Sequence, residues 1–187
     1  MKKILASILF FTAVTHVGAA DYKVDDKHTN ARFAIDHFGT STNVGGIYGL
    51  KGMMQFDAQN QTGSISISLP LANLQSSSDA FTKHLKSPDL FHADKFPEMK
   101  FISTQFHFQN NKVSAVDGTL TLLGQTHPVQ LKAEKFNCYH NPMFKAQVCG
   151  GDFSTTLDRS KWGMNYLLDA GMTKDVHIDI QFEAVKQ

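Results

Sequence analysis

The chain has 187 residues, of which 42% are hydrophobic and 19% charged, and a formal net charge of +1. That is long enough for one domain with a real core and too apolar for extended disorder. No basic run supplies the dense positive footprint that nucleic acid demands, so nucleic acid is not an expected partner.

Residues 1–20 read as a secretory signal peptide. Lys2 and Lys3 form a basic start, Ile4 to Val17 is mostly apolar, and Gly18-Ala19-Ala20 offers small residues for cleavage. The apolar stretch is too short to span a bilayer, and no cysteine follows it for lipid attachment. Cleavage would leave 21–187 as one exported domain, periplasmic or secreted. Losing Lys2 and Lys3 takes its formal charge from +1 to −1. No second apolar span follows, so no integral membrane segment is expected after signal removal.

The signal that dominates the remainder is period two. Phe33 and Ile35 share one face, with Arg32, Ala34 and Asp36 opposite. Gly45-Gly46, Gly49 and Gly52 mark turns, bulges or close approaches. Ser64-Ile65-Ser66-Ile67-Ser68-Leu69 alternates strictly, so Ile65, Ile67 and Leu69 line one side of a strand. Ser76-Ser77-Ser78-Asp79 then offers capping side chains, Phe81 and Leu85 recur at i, i+4, and Pro88 stops the run; this spacing predicts a short helix over 79–86. The segment 88–97 carries Leu90, Phe91 and Phe96 without a period, and such a loop must bury them, most simply by closing the end of a barrel. Alternation resumes from Phe101 through Phe106 and Phe108, in 119–122, in 129–132, and from Val176 through Ile178 and Ile180 to Phe182. One wet and one dry face are the mark of antiparallel strands. Many short strands at near-even spacing predict an all-β barrel or sandwich.

The two cysteines, Cys138 and Cys149, both lie in the exported part, on either side of a turn-like Tyr139-His140-Asn141-Pro142. An even count in an oxidising compartment predicts a disulfide across a hairpin. The nine histidines show no His-x-His or His-x-x-x-His spacing, so no metal is expected. The chain carries no Gly-x-Ser-x-Gly elbow, phosphate loop or dinucleotide fingerprint, and it does not read as an enzyme.

Motifs in order along nearly the whole exported part resemble the YceI-like family of polyisoprenoid-binding, lipocalin-like periplasmic proteins. They begin at Phe33-Ala34-Ile35-Asp36-His37-Phe38-Gly39 and continue through Gly46-Ile47-Tyr48-Gly49-Leu50-Lys51-Gly52 and Phe56-Asp57. The most specific is Lys83-His84-Leu85-Lys86-Ser87-Pro88-Asp89-Leu90-Phe91, followed by 96–104, 118–129 and Thr155-Thr156-Leu157-Asp158-Arg159-Ser160-Lys161-Trp162-Gly163. Leu90 stands where the family usually has Phe, Thr82-Lys83 where an Arg-Asp pair is common, and Trp162 in place of a smaller aromatic. The resemblance implies an extended antiparallel barrel around an apolar tunnel, a bound isoprenoid, quinone or fatty-acyl chain, no other cofactor, and a homodimer.

On that expectation Phe33, Ile35, Phe56, Ile65, Ile67, Phe101, Leu120, Leu122, Phe153 and Trp162 line the cavity. Leu85, Leu90, Phe91 and Phe96 form its mouth or lid, and a polar head group would meet His37, His84, Asp158 or Arg159. For Arg159 an ion pair with Asp158, holding the strand end, is the competing expectation. Fifteen phenylalanines provide smooth walls without polar atoms that need partners. The same residues would equally build a solid core, and a packed barrel serving as a surface or scaffold protein is the alternative.

Overall fold

The structure is a computed structural model that describes residues 18–187. Residues 1–17 of the expected signal peptide lie outside the described residues. The strands are β1 (Ala20–Val24), β2 (Asn30–His37), β3 (Ser41–Tyr48), β4 (Lys51–Asp57), β5 (Thr62–Pro70), β6 (Leu74–Ser76), β7 (Glu98–Gln109), β8 (Lys112–Leu122), β9 (Gln125–Asn141), β10 (Ala146–Asp158) and β11 (Asp175–Lys186). One helix, α1 (Asp79–Lys86), separates β6 from β7.

All pairings are antiparallel, and the order β1-β4-β5-β7-β8-β9-β10-β11 returns to β1, which closes a barrel of eight strands. The other three strands continue the same ribbons past a crease. β1 and β2 lie one after the other along a single edge of β11, Tyr22 to Val24 opposite Lys186 to Ala184 and Asn30 to Ala34 opposite Gln181 to His177. β3 runs into β4 around Gly49, where φ is +65°, and β5 runs into β6 through a 3-10 turn at Leu71–Asn73. Asn73 donates its amide to the carbonyl of Tyr48 at 2.9 Å, which ties two of these creases together.

A crease breaks the ladder, and the backbone groups it frees need partners. Thr29, almost wholly buried, supplies them: its hydroxyl bonds both the N–H and the carbonyl of Glu183, and Asp25 N also donates to that carbonyl.

The alternation read from the sequence sets the sidedness. Ile65, Ile67 and Leu69 are buried while Ser64 and Ser66 are exposed, and Phe182 and Ala184 are buried on β11. Two glycines in strands are close approaches rather than turns. Gly45 faces Phe33 across β2–β3, and Gly118 lies under Phe101; a Cβ at either would collide with the ring. With no Cβ there, each ring can lie against the wall instead of across the bore.

α1 forms as the spacing predicts. Ser78 caps it by accepting from Phe81 N, and Leu85 is buried. It sits where β6 leaves β7: β5 pairs with β7 only as far as Pro70 opposite Glu98, and Ser76 N donates to the Thr82 hydroxyl beyond that point.

Cys138 and Cys149 face each other in the β9–β10 ladder and are bonded, with Cα atoms 4.1 Å apart. Disulfides persist in oxidising compartments. The short closed loop makes the expected contribution about 2–3 kcal/mol. Replacing both cysteines by serine should therefore lower the melting temperature by roughly 5–10 °C without changing the far-UV circular dichroism. An unchanged melting temperature would show that the bridge restrains nothing the ladder does not already hold.

Candidate functional site

An eight-stranded barrel has an interior that side chains can just fill, or that can hold one small ligand. Here the two ends differ. At the end where β7, β9 and β4 finish, Phe56, Phe106, Phe108 and Phe136 pack as one aromatic cluster, with Phe56 centroids 5.1 Å from Phe136 and 6.2 Å from Phe108. Toward the other end the bore is open.

The open part has two chambers. The inner one, about 110 Å³, is walled almost entirely by carbon, including Ile65 and Ile67 on β5, Phe101 on β7, Leu120 on β8, Phe153 on β10, Ile178 and Ile180 on β11 and Phe33 on β2. Phe33, Leu131, Leu157, Ile178 and Ile180 point inward yet keep accessible surface, because they border empty space. The outer chamber, about 270 Å³, shares Phe33, Phe91 and Leu157 with the inner one, so the two adjoin. Its walls come from the barrel rim, α1, the loop 87–97 and the segment 159–172.

Most of the residues expected from sequence meet here. Phe33, Ile65, Ile67, Phe101, Leu120 and Phe153 border the inner chamber, and Ile35, Leu122 and Trp162 the outer one. Leu85, Leu90 and Phe91 border the outer chamber at its mouth, as do His37, His84 and Arg159. Three expectations place residues differently. Phe56 is in the aromatic cluster and borders neither chamber, because its strand ends at the filled end of the barrel. Phe96 is not at the mouth. The bond from Phe96 N to His92 O winds the loop back, so the ring covers Gly124 outside the rim with the Lys95 ammonium 5.2 Å from its centroid. Asp158 turns away from the cavity. It accepts from the backbone N–H and hydroxyl of Ser160 and from Lys174, capping the 3-10 turn Arg159–Trp162.

Arg159 does not pair with Asp158 as its competing expectation had it. The guanidinium is buried and donates to three carbonyls, those of Thr173, Met164 and Tyr166, at 3.1, 3.0 and 2.8 Å. Burial pushes its pKa down, and the nearby Asp158 charge partly offsets this. Its role is to fasten the 163–174 segment over the mouth. That segment brings Met164, Tyr166, Leu167 and Met172 to the outer chamber, none of them anticipated. The signal was available: it is an apolar stretch without a period, the same feature that marked 88–97 as a lid. Tyr166 stands edge-on to His84, centroids 5.0 Å apart, at the entrance. The indole N–H of Trp162 donates to Leu120 O at 3.0 Å, so this large ring adds no unpaired polar atom to the wall.

The fold is thus a closed antiparallel barrel, filled at one end and hollow and apolar toward the other. The YceI-like domain description matches residues 22–184, and the chain belongs to that family. It is 33% identical over 193 residues to a UPF0312 protein of Pseudomonas putida strain W619, covering 100% of this chain and 99% of that one. Among solved structures it resembles the Campylobacter jejuni YCEI protein, with 19% identity and a TM-score of 0.69 over 98% of this chain and 99% of the other. It also resembles a polyisoprenoid binding domain from Saccharophagus degradans, with 11% identity and a TM-score of 0.62 over 90% and 99%.

Two consequences can be measured. Arg159→Met keeps most of the side chain's bulk but leaves three carbonyls without their donor. Charge-assisted bonds of this kind make the expected loss about 3 kcal/mol, and hydrogen exchange should quicken in 163–174 before it does in the barrel strands. The second concerns acid. The Ser160 hydroxyl and the Lys174 ammonium hold the Asp158 carboxyl below the ordinary carboxylate range. A group depressed in the folded state stabilises it above the unfolded value and loses that effect as pH falls through the folded one. Asp158→Asn should melt below the native protein at neutral pH, and the gap should close as pH drops below about 4.

Proposed function

We propose that this protein binds a long isoprenoid chain, polyprenyl or quinone-type, in the barrel cavity and carries or sequesters it in the periplasm without catalysis. The observation that carries this reading is the pair of adjoining, largely carbon-walled chambers backed by the phenylalanine cluster. A chain without polar groups fits such a lining, and each methylene removed from water is worth roughly 0.8 kcal/mol before ordering costs. The Saccharophagus degradans neighbour is described as a polyisoprenoid binding domain, which favours an isoprenoid over a fatty-acyl or amide chain as the first ligand to test. Entry is by way of α1 and Tyr166, because the opposite end is filled. The basic and apolar start of the chain and the disulfide both favour export, with residues 1–20 removed and 21–187 as the mature domain. A homodimer rests on the family resemblance and is checked by light scattering.

Protein purified without detergent, extracted into organic solvent and analysed by mass spectrometry, should yield a stoichiometric prenyl lipid. Leu122→Asp puts a carboxylate on the outer chamber wall with no partner, and a folded Leu122→Asp protein should yield none. An empty extract from native protein that also fails to bind apolar dyes would leave the barrel a scaffold.

A further inference from the structure

The same strands that enclose the hollow also enclose the filled end, and the change from one to the other is abrupt. Phe153 marks it. One side of this ring faces the inner chamber, and the other meets Phe136 at a centroid distance of 6.3 Å. Beyond Phe136 the cluster crosses the bore: Phe56 comes from β4, Phe106 and Phe108 from β7, and Phe136 from β9. Phe106 rests over Gly63, where a Cβ would press on the ring, so the cluster is seated on a wall shaped to receive it. Two residues past Phe136 on the same strand, Cys138 is bonded to the fully buried Cys149, which pins β9 to β10 at this level. Aromatic rings packed edge and face in this way, beside a covalent cross-link, form a floor that a flexible ligand cannot easily displace.

We infer that the cluster of Phe56, Phe106, Phe108 and Phe136 sets the greatest chain length the cavity accepts, with Phe136 as its member directly behind Phe153, the ring the chain end meets. The inference rests on the lipid-binding reading above. With one end blind, a chain entering at α1 can lengthen only until its tip reaches Phe153 and Phe136. Beyond that length each added carbon must stay at the mouth in water and contributes nothing to affinity.

The test uses delipidated mature protein, a ladder of all-trans prenyl alcohols from farnesol to solanesol, and a matching ladder of saturated fatty alcohols. Each competes against a fluorescent apolar probe. In the native protein, affinity should climb with length and then level off. Phe136→Ala removes a ring of about the size of one isoprene unit, so the plateau should begin about one unit later, with up to about fourfold tighter binding for each further methylene enclosed. Ile178→Phe adds a ring inside the inner chamber, which Ile178 borders, and should bring the plateau forward. Should Phe136→Ala fail to fold, as judged by circular dichroism, Phe136→Leu and Ile178→Phe decide the matter. A native plateau that stays put in Phe136→Ala or Phe136→Leu and in Ile178→Phe overturns the length stop and leaves the lipid-binding reading intact. Absence of binding by either ladder at any length overturns both.

Discussion

The first ribbon closes the barrel along one edge of β11, with three residue pairs from β1 and five from β2. Without that ladder the strands would expose edges, and the inward faces of β5, β7, β8, β9 and β10 would open to water. The ladder is interrupted where the ribbon is creased between β1 and β2. The Thr29 hydroxyl and the Asp25 amide carry the hydrogen bonding across the crease by engaging Glu183. Much of the interior therefore depends on one buried hydroxyl and a few strand residues near each end of the described chain. The creases at Gly49 and at Leu71–Asn73 lie on the adjoining ribbons. They let β6 diverge from β7, and α1 with the loop 87–97 occupies the gap. The mouth is thus a consequence of how the first three ribbons bend.

Closure does not decide whether a barrel is hollow; side-chain placement does. Glycine opposite Phe33 and beneath Phe101 allows two of the largest residues to lie along the wall of the inner chamber. At the far end four phenylalanines meet across the bore and fill it. The same residue type that lines the inner chamber thus fills the bore where four rings converge, and leaves dispersion contacts unmade where they do not.

What was legible in the sequence follows from how local each signal is. Strict alternation in 64–69 and 176–182 marks the buried faces, because a strand's two sides are separated by one residue. The helix 79–86 and its cap were legible for the same reason. The Cys138–Cys149 bridge needed only the count and an export signal. β3 and β4 were obscured by Gly45, Gly46 and Gly52. From sequence these could be turns, bulges or close approaches; Phe33 over Gly45, and Gly52 against the backbone of Ser66 and Ile67, make them close approaches. Phe56 carried the right alternation and motif position for a wall residue; how far along the bore it falls depends on the stagger of β4 against β7, which no short stretch encodes. Asp158 and Arg159 are neighbours in sequence and invite pairing, but their partners, Lys174 and the carbonyls of Met164, Tyr166 and Thr173, come from a segment with no periodicity.

The mouth and the bore also differ in what they offer a ligand. Arg159, whose guanidinium borders the outer chamber, donates three of its hydrogen bonds to backbone carbonyls of the lid segment. The other polar side chains there, His37, Asn43, His84 and Tyr166, offer hydrogen bonds near the entrance, where water competes for them. The inner chamber offers a chain almost nothing but carbon. Binding free energy in such a cavity grows with the length of chain enclosed and depends only weakly on what the chain carries at its head. On the proposed function, selectivity among lipids would fall to shape: the junction by Phe33 and Phe91, and the depth from Tyr166 down to Phe153. On that reading a barrel made this way would discriminate by how much apolar surface it can cover, a quantity fixed by the walls and the floor together.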